Sequence, residues 1–258
     1  ISKQLGDGKL LSKLTKKTVV YNFRENDLRN NGQGAPLTPI FHEIVARKNN
    51  IDLPVCVLNL GGIANITLIK DDDYNSLVSC DIGPGNCLID KWIRKNSKNE
   101  YDLDGLIAQS GKINKIILEK AIQNFNNEKK ISFDIKDFSL SFVNNLSFKD
   151  GAATLTEFTG RILGEAISSL VKKENNKLLK VLVCGGGRKN KVLFKSIKEA
   201  VSKNLVFQSI DSFGINGDFV ESQAFAYLAI RSYLKIPITF PSTTGCSKPC
   251  IGGSIIKN

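Results

Sequence analysis

The chain predicts an α/β fold with a mixed sheet and helices on its faces. Two observations carry this: three strand-like runs in quick succession between residues 55 and 82, and alternating helical and strand-like text from there to residue 234. At 258 residues and 41% apolar composition the chain is long enough for one large domain or two modest ones, each with its own core.

The elements follow in order. TVVYNF (18–23) reads as a strand, and RENDLRNNGQGAPL after it is too polar and glycine-rich for a regular element. A helix is expected through FHEIVARK after Pro39. VCVLNL, ITLIK and SLVSCDI, separated by GGIAN and DDDYN turns, have the spacing of an antiparallel meander. CLIDKWIRK places Leu88, Ile89, Trp92 and Ile93 on one helical face, and KINKIILEKAIQNF reads as a second helix. A longer helix is expected from an N-cap at Asp150, with Leu155, Phe158, Ile162, Ala166 and Leu170 at helical spacing. KVLVC is a buried strand, KVLFKSIKEAV a helix, LVFQSI a strand and FVESQAFAYLAIRSYL a final helix. A meander followed by alternating helix and strand is the element order of a ribonuclease-H-like half; pattern alone leaves a doubly wound nucleotide fold open.

Composition narrows the function classes. The formal charge of +11 comes mostly from lysines scattered among asparagines, whereas a nucleic-acid stripe would be clustered with arginines and aromatics, so no nucleic-acid partner is expected. No apolar run is long enough to span a bilayer and Ile1 to Leu10 lacks the pattern of a signal peptide, so the expected setting is the cytoplasm, with no membrane partner. Six cysteines without a C-x-x-C pair are expected to be reduced and mostly buried. Cys246 and Cys250, in a chain with one histidine, are a weak zinc signal, and no metal ligand is assigned. The chain has no methionine, so a fragment or processed product is expected.

Three glycine clusters sit at strand ends: Gly61 and Gly62 in LNLGGIANITL, Gly83 and Gly85 in CDIGPGN, and Gly185, Gly186 and Gly187 in LVCGGGRKN. Each alone is explained by a tight turn; together they suggest backbone N–H groups arranged to cradle phosphates. Neither the P-loop spelling nor G-x-G-x-x-G occurs. Asp81, at a strand end beside the second cluster, is placed either to cap the Gly-Pro-Gly turn or to act as a general base. Asp90 reads as a surface or capping residue. Arg24 is either a guanidinium for a hydroxylated or carboxylate substrate or half of an ion pair with Glu25 or Asp27. Glu221 falls on a first helical turn, where the macrodipole alone favours a carboxylate. The only histidine, His42, reads as a helix-start or packing residue.

The segments GDGKLL, NFRENDLRNNGQGAPLTP, LNLGGIANITL, CDIGPGNCLIDKW, DLDGLIAQSG, DGAATLTEFTGRI, VLVCGGGRKN, GDFVESQAFAYLAIR and PSTTGCSKPCIGG closely resemble the anhydro-N-acetylmuramic acid kinases, in order and nearly end to end. The resemblance implies the sugar kinase, Hsp70 and actin superfamily: an actin/hexokinase-type, ribonuclease-H-like domain with a mixed five-stranded sheet, plus the remnant of a second such domain. Implied boundaries are 1–35 for the first-lobe remnant and substrate loop, 36–240 for the second lobe, and 241–258 for a segment packing back towards the first.

By the same resemblance, Gly61 and Gly62 form a phosphate hairpin, Gly83 and Gly85 shape the catalytic turn, and Gly185 to Gly187 lie near the adenosine. Asp81 matches the catalytic aspartate, and Arg24 and Glu221 match sugar-contacting positions. The implied cofactors are ATP and Mg2+, and the implied reaction turns 1,6-anhydro-N-acetylmuramic acid, ATP and water into N-acetylmuramic acid 6-phosphate and ADP, in peptidoglycan recycling. A homodimer is implied for the full-length protein. Two departures stand out: Ile82 replaces a threonine common in the family, and an S-G-T-S-x-D-G phosphate loop is missing, which implies little activity for these residues alone. Another sugar or acyl kinase of the superfamily, and a non-catalytic nucleotide sensor, are the alternatives.

Overall fold

The computed structural model of the chain describes residues 6–125, 132–172, 178–201 and 204–257. Its helices of more than one turn, with the short ones between, are α1 (Gly8–Thr15), α2 (Glu25–Arg29), α3 (Pro39–Lys48), α4 (Cys87–Asn96), α5 (Leu106–Gln109), α6 (Lys115–Gln123), α7 (Phe148–Val171), α8 (Lys191–Ala200), α9 (Val220–Tyr233) and α10 (Pro241–Thr244). The strands are β1 (Val19–Tyr21), β2 (Val55–Leu60), β3 (Ala64–Ile69), β4 (Val78–Gly83), β5 (Leu179–Cys184), β6 (Leu205–Ser209) and β7 (Ser254–Ile256).

Five strands form one sheet in the order β4-β3-β2-β5-β6. A three-residue connection joins β2 to β3, and so short a link permits only antiparallel pairing. β5 and β6 run parallel, with Leu179 opposite Leu205, because α8 supplies the crossover between them. The sheet is therefore mixed, three meander strands followed by a βαβ unit, and the fold is ribonuclease-H-like α/β. β1 and β7 make a separate antiparallel pair, Val19 opposite Ile256.

The chain divides into two compact units: the described residues of Ile1–Val55, Thr67–Cys80 and Phe219–Asn258, and those of Cys56–Ile66 and Asp81–Asp218. Packing thus groups residues 36–55, 67–80 and 219–240 with the chain's two ends.

The first unit has its core in Phe23, Leu37, Ile40, Leu228, Ile238 and Phe240. Each such side chain contributes about 1.5–3 kcal/mol by leaving water. His42 on α3 is 1% exposed, and its Nδ1 lies 2.8 Å from Thr67 Oγ1. Burial lowers its pKa to about 4, so packing is its role, as its place in the sequence suggested.

In the second unit α7 and α8 pack together. Leu88, Ile89, Trp92 and Ile93 of α4 are all buried, as are Leu155, Phe158 and Ile162 of α7, while Ala166 and Leu170 are half-buried. The N-cap of α7 is Ser147, whose Oγ accepts the Asp150 N–H; the expected cap, Asp150, instead accepts the Lys112 N–H at 2.7 Å. Other elements differ from expectation. α1 begins at an Asp7 cap in text that carried no element, α5 and α10 likewise fall where none was expected, α2 interrupts the expected loop, and β7 occupies the C-terminal segment. No described helix is long and apolar enough to cross a membrane.

Candidate functional site

The second unit brings all three glycine clusters together. The Gly61–Gly62 turn joins β2 to β3, Gly83 ends β4 with Gly85 just after it, and Gly185 to Gly187 follow β5. The second turn is bonded to the first: the Asn86 N–H donates to Gly61 O at 2.8 Å, and the Cys87 N–H to Gly62 O at 3.0 Å. Asn86 Nδ2 also donates to Leu60 O and Gly61 O, both at 3.2 Å. A Cβ on Gly85 would lie 2.3 Å from Gly61 O, so only glycine permits this approach. The third turn closes on the same point, since a Cβ on Gly187 would meet Asn86 Nδ2 at 2.7 Å and Leu60 O at 2.9 Å. Gly62 and Gly186 face open space, and their N–H groups have no protein acceptor among the described residues. Such amides are suited to an anion.

Asp81 lies in β4 at 9% exposure, and its Oδ2 accepts the Phe133 N–H at 2.8 Å. The amides of the neighbouring turn have other acceptors: Gly85 N–H donates to Gly83 O, and those of Asn86 and Cys87 to the first turn. These three amides are thus bonded to backbone oxygens. Ile82 is 3% exposed and packs in the interior.

The third turn is anchored by charge. Arg188 donates through Nε to Asp211 Oδ2 at 2.7 Å, and through Nη1 to Asp218 Oδ1 at 2.6 Å and Gly185 O at 3.0 Å. Its bond with Asp211 raises the guanidinium pKa and holds the Asp211 carboxyl well below the usual carboxylate range. Gly185 N–H completes the lock on Gly217 O.

A cavity of about 370 Å³ opens beside this turn, within the range of small-molecule sites. Asn86, Asp90, Tyr101, Asp102, Gly186 and Lys189 are among its walls. Asp102 is buried and spent on the N–H groups of Ile107 and Ala108. Asp90, expected at the surface or in a cap, is half-buried here; desolvation pushes its carboxyl up to about 6, Asp102 adds to the rise and Arg94 opposes it.

Arg24 and Glu221 belong to the first unit. Arg24 caps α2 and is exposed; the alternative ion pair is not formed, because Glu25 pairs with Arg29 and Asp27 accepts from Gly34 N and Thr244 Oγ1. Glu221 is exposed in the first turn of α9. Phe23 and Phe225 meet edge to face at 5.5 Å, which brings the chain just before Arg24 to the helical turn just after Glu221. Asn86, Asp90 and the Arg188 anchor escaped the sequence reading. Of these only Asn86, directly after the glycine turn, carried a local signal.

A family model described as Anhydro-N-acetylmuramic acid kinase matches residues 1–258. An anhydro-N-acetylmuramic acid kinase of Pelagibacter ubique is 54% identical over 100% of this chain and 70% of its own length. Those of Zymomonas mobilis and Rhodospirillum rubrum are 41% and 40% identical over 98% of this chain, which spans 67% and 66% of them. A solved structure, the activator of the 2-hydroxyisocaproyl-CoA dehydratase from Clostridium difficile with bound ADPNP, overlaps at a TM-score of 0.40 and 15% identity, covering 75% of this chain and 69% of that one, too slight a likeness for inference. By the match along its whole length and by these relatives, the chain belongs to the anhydro-N-acetylmuramic acid kinase family.

Proposed function

We propose that this chain carries the nucleotide and catalytic machinery of a kinase that converts 1,6-anhydro-N-acetylmuramic acid, ATP and water into N-acetylmuramic acid 6-phosphate and ADP, in peptidoglycan recycling. The observation that carries the reading is the convergence of three glycine turns, with two open N–H groups, beside a buried aspartate in a chain of this family. Gly61, Gly62, Gly83, Gly85 and Gly185 to Gly187 would line the phosphates, and the adjoining cavity would take the nucleoside.

Asp81 is the group that receives a proton from the water attacking C1, as the C1–O6 bond breaks and O6 takes the phosphoryl group. Support comes from its fixed geometry: one carboxylate oxygen is held by Phe133, which orients the other. Arg24 and Glu221 are assigned to the sugar; the exposed guanidinium of Arg24, with no ion-pair partner among the described residues, suits hydroxyl or carboxylate recognition. Asp81 and Asp90 bring carboxylate oxygens near the turns, donors of the kind Mg2+ takes. Mg2+ would screen the charge of the phosphates.

The lobe assignment, 1–35, 36–240 and 241–258, is part of this proposal; the pairing of β1 with β7 supports its joining of the two ends, while packing sets 36–55, 67–80 and 219–240 with those ends as well. Also part of the proposal are a cytoplasmic setting, for which the six free cysteines argue, a homodimer in the full-length protein, and the absence of nucleic-acid and membrane partners.

The test is ADP release with anhydro-N-acetylmuramic acid and a panel of other sugars and acyl acceptors, for these residues alone and for the complete reading frame. Turnover confined to the anhydro sugar is expected. Turnover with another acceptor in its place, or ATP binding with no acceptor at all, overturns the reading.

A further inference from the structure

Asp27 of α2, one helical turn from Arg24, and two cysteines after α10 meet in the first unit. One carboxylate oxygen of Asp27 and the sulfurs of Cys246 and Cys250 all lie within 4.8 Å of one another. All three residues are buried, at 1%, 2% and 2% exposure. The carboxylate has two neutral donors, Gly34 N–H to Oδ2 at 2.7 Å and Thr244 Oγ1 to Oδ1 at 2.6 Å, but no cationic partner among the described residues. Buried charges are ordinarily paired or bound to a metal. A buried carboxylate turned towards two thiols is an arrangement that a cation completes.

We propose that Asp27, Cys246 and Cys250 form a binding site for a thiophilic divalent cation, with Zn2+ the ion that fits the donors. Thiolates and carboxylates are both zinc ligands, with bonds of about 2.3 Å to sulfur and about 2.0–2.2 Å to oxygen. In a tetrahedral site those lengths require donors roughly 3.5–3.8 Å apart. The observed 4.8 Å limit is within reach of side-chain rotation.

The frame is already in place. Ser247 N–H donates to Asn30 O at 2.8 Å and Gln33 N–H to Thr244 O at 2.9 Å, so the two chain segments are fastened before any ion arrives. The donors on Asp27 orient it as outer-shell partners orient metal ligands elsewhere. Residues Gly245, Ser247, Lys248 and Pro249 are exposed, so only one loop separates the sulfurs from solvent. Three protein ligands leave a fourth position for water. Loading releases the two thiol protons, and the ion would staple the α2 turn to the C-terminal segment.

The test uses the complete protein, reduced and stripped of metal, titrated with Zn2+ against a chromophoric chelator and separately with Co2+. One equivalent should bind, with a thiolate-to-cobalt charge-transfer band and a rise in Tm. Cys246→Ser and Cys250→Ser should each weaken binding by at least about 100-fold, and Asp27→Asn by about 10-fold or more. Should a variant fail to fold, the cobalt spectrum of the unaltered protein decides alone. Absence of the thiolate band, unchanged affinity in both cysteine variants, or a Cys246–Cys250 disulfide that takes up no metal after reduction would each overturn the proposal.

Discussion

Gly85→Ala places a methyl group where the second glycine turn leans on the first. The new Cβ would sit 2.3 Å from Gly61 O and 3.1 Å from Ala64 N, against an ordinary contact of 3.4 Å or more, so the turns must part by about 1 Å. Both obstacles are backbone, and neither can rotate away. A misplacement of about 1 Å in a catalytic constellation costs on the order of 100-fold in rate, or about 2.7 kcal/mol of barrier. Overpacking also costs about 1–3 kcal/mol of stability, so the assay belongs well below the lowered Tm. ADP release by the complete protein, read as kcat and as KM for ATP, should show the loss. Gly62→Ala serves as the comparison for stability alone, because a Cβ there meets nothing within 4 Å and Tm should be unchanged. Native kinetics for Gly85→Ala, with a native fold, would refute the convergence of the turns as the basis of the site.

Two further outcomes are expected. His42, with its pKa lowered by burial to about 4 against an ordinary 6.5, is neutral in the fold and protonates first in the unfolded chain. Its contribution is therefore complete above the unfolded value and is lost as pH falls from there towards about 4, roughly 2 kcal/mol by about pH 5. Urea unfolding of His42→Asn should lack that part of the pH slope, and equal slopes in the two proteins would contradict the assignment. Arg24→Ala and Glu221→Gln should raise the KM for the anhydro sugar by about 10- to 100-fold while leaving that for ATP nearly unchanged; an equal effect on both would remove these residues from the sugar site.

What could be read from the letters divides along physical lines. β2, β4, α4 and α9 are legible because their apolar periodicity extends over whole elements and their ends carry glycine, proline or polar turns. α2 is hidden because five residues with a single apolar one, Leu28, have no periodicity; its place comes from Asp27, whose carboxylate ties Gly34 and Thr244. β7 is hidden because a three-residue strand exists only through its partner β1, more than two hundred residues earlier. The site divides in the same way. Glycines at strand ends announce three turns, but that Gly85 and Gly187 press on Leu60 and Gly61 is a tertiary fact. The Arg188 anchor needs Asp211 and Asp218, each over twenty residues away in sequence. The two C-terminal cysteines, a weak signal by themselves, gain a third ligand only when the fold delivers Asp27.

The central claim is that Asp81 takes the proton of the attacking water, and Asp81→Asn in the complete protein tests it most directly. The amide keeps an oxygen able to accept the Phe133 N–H, so near-UV circular dichroism and Tm should stay close to native. ATP affinity should also hold, since the glycine turns are untouched. Turnover of the anhydro sugar should fall by about 100- to 10,000-fold, the usual worth of a general base. A folded, ATP-binding Asp81→Asn protein that still releases ADP at the native rate would contradict the account.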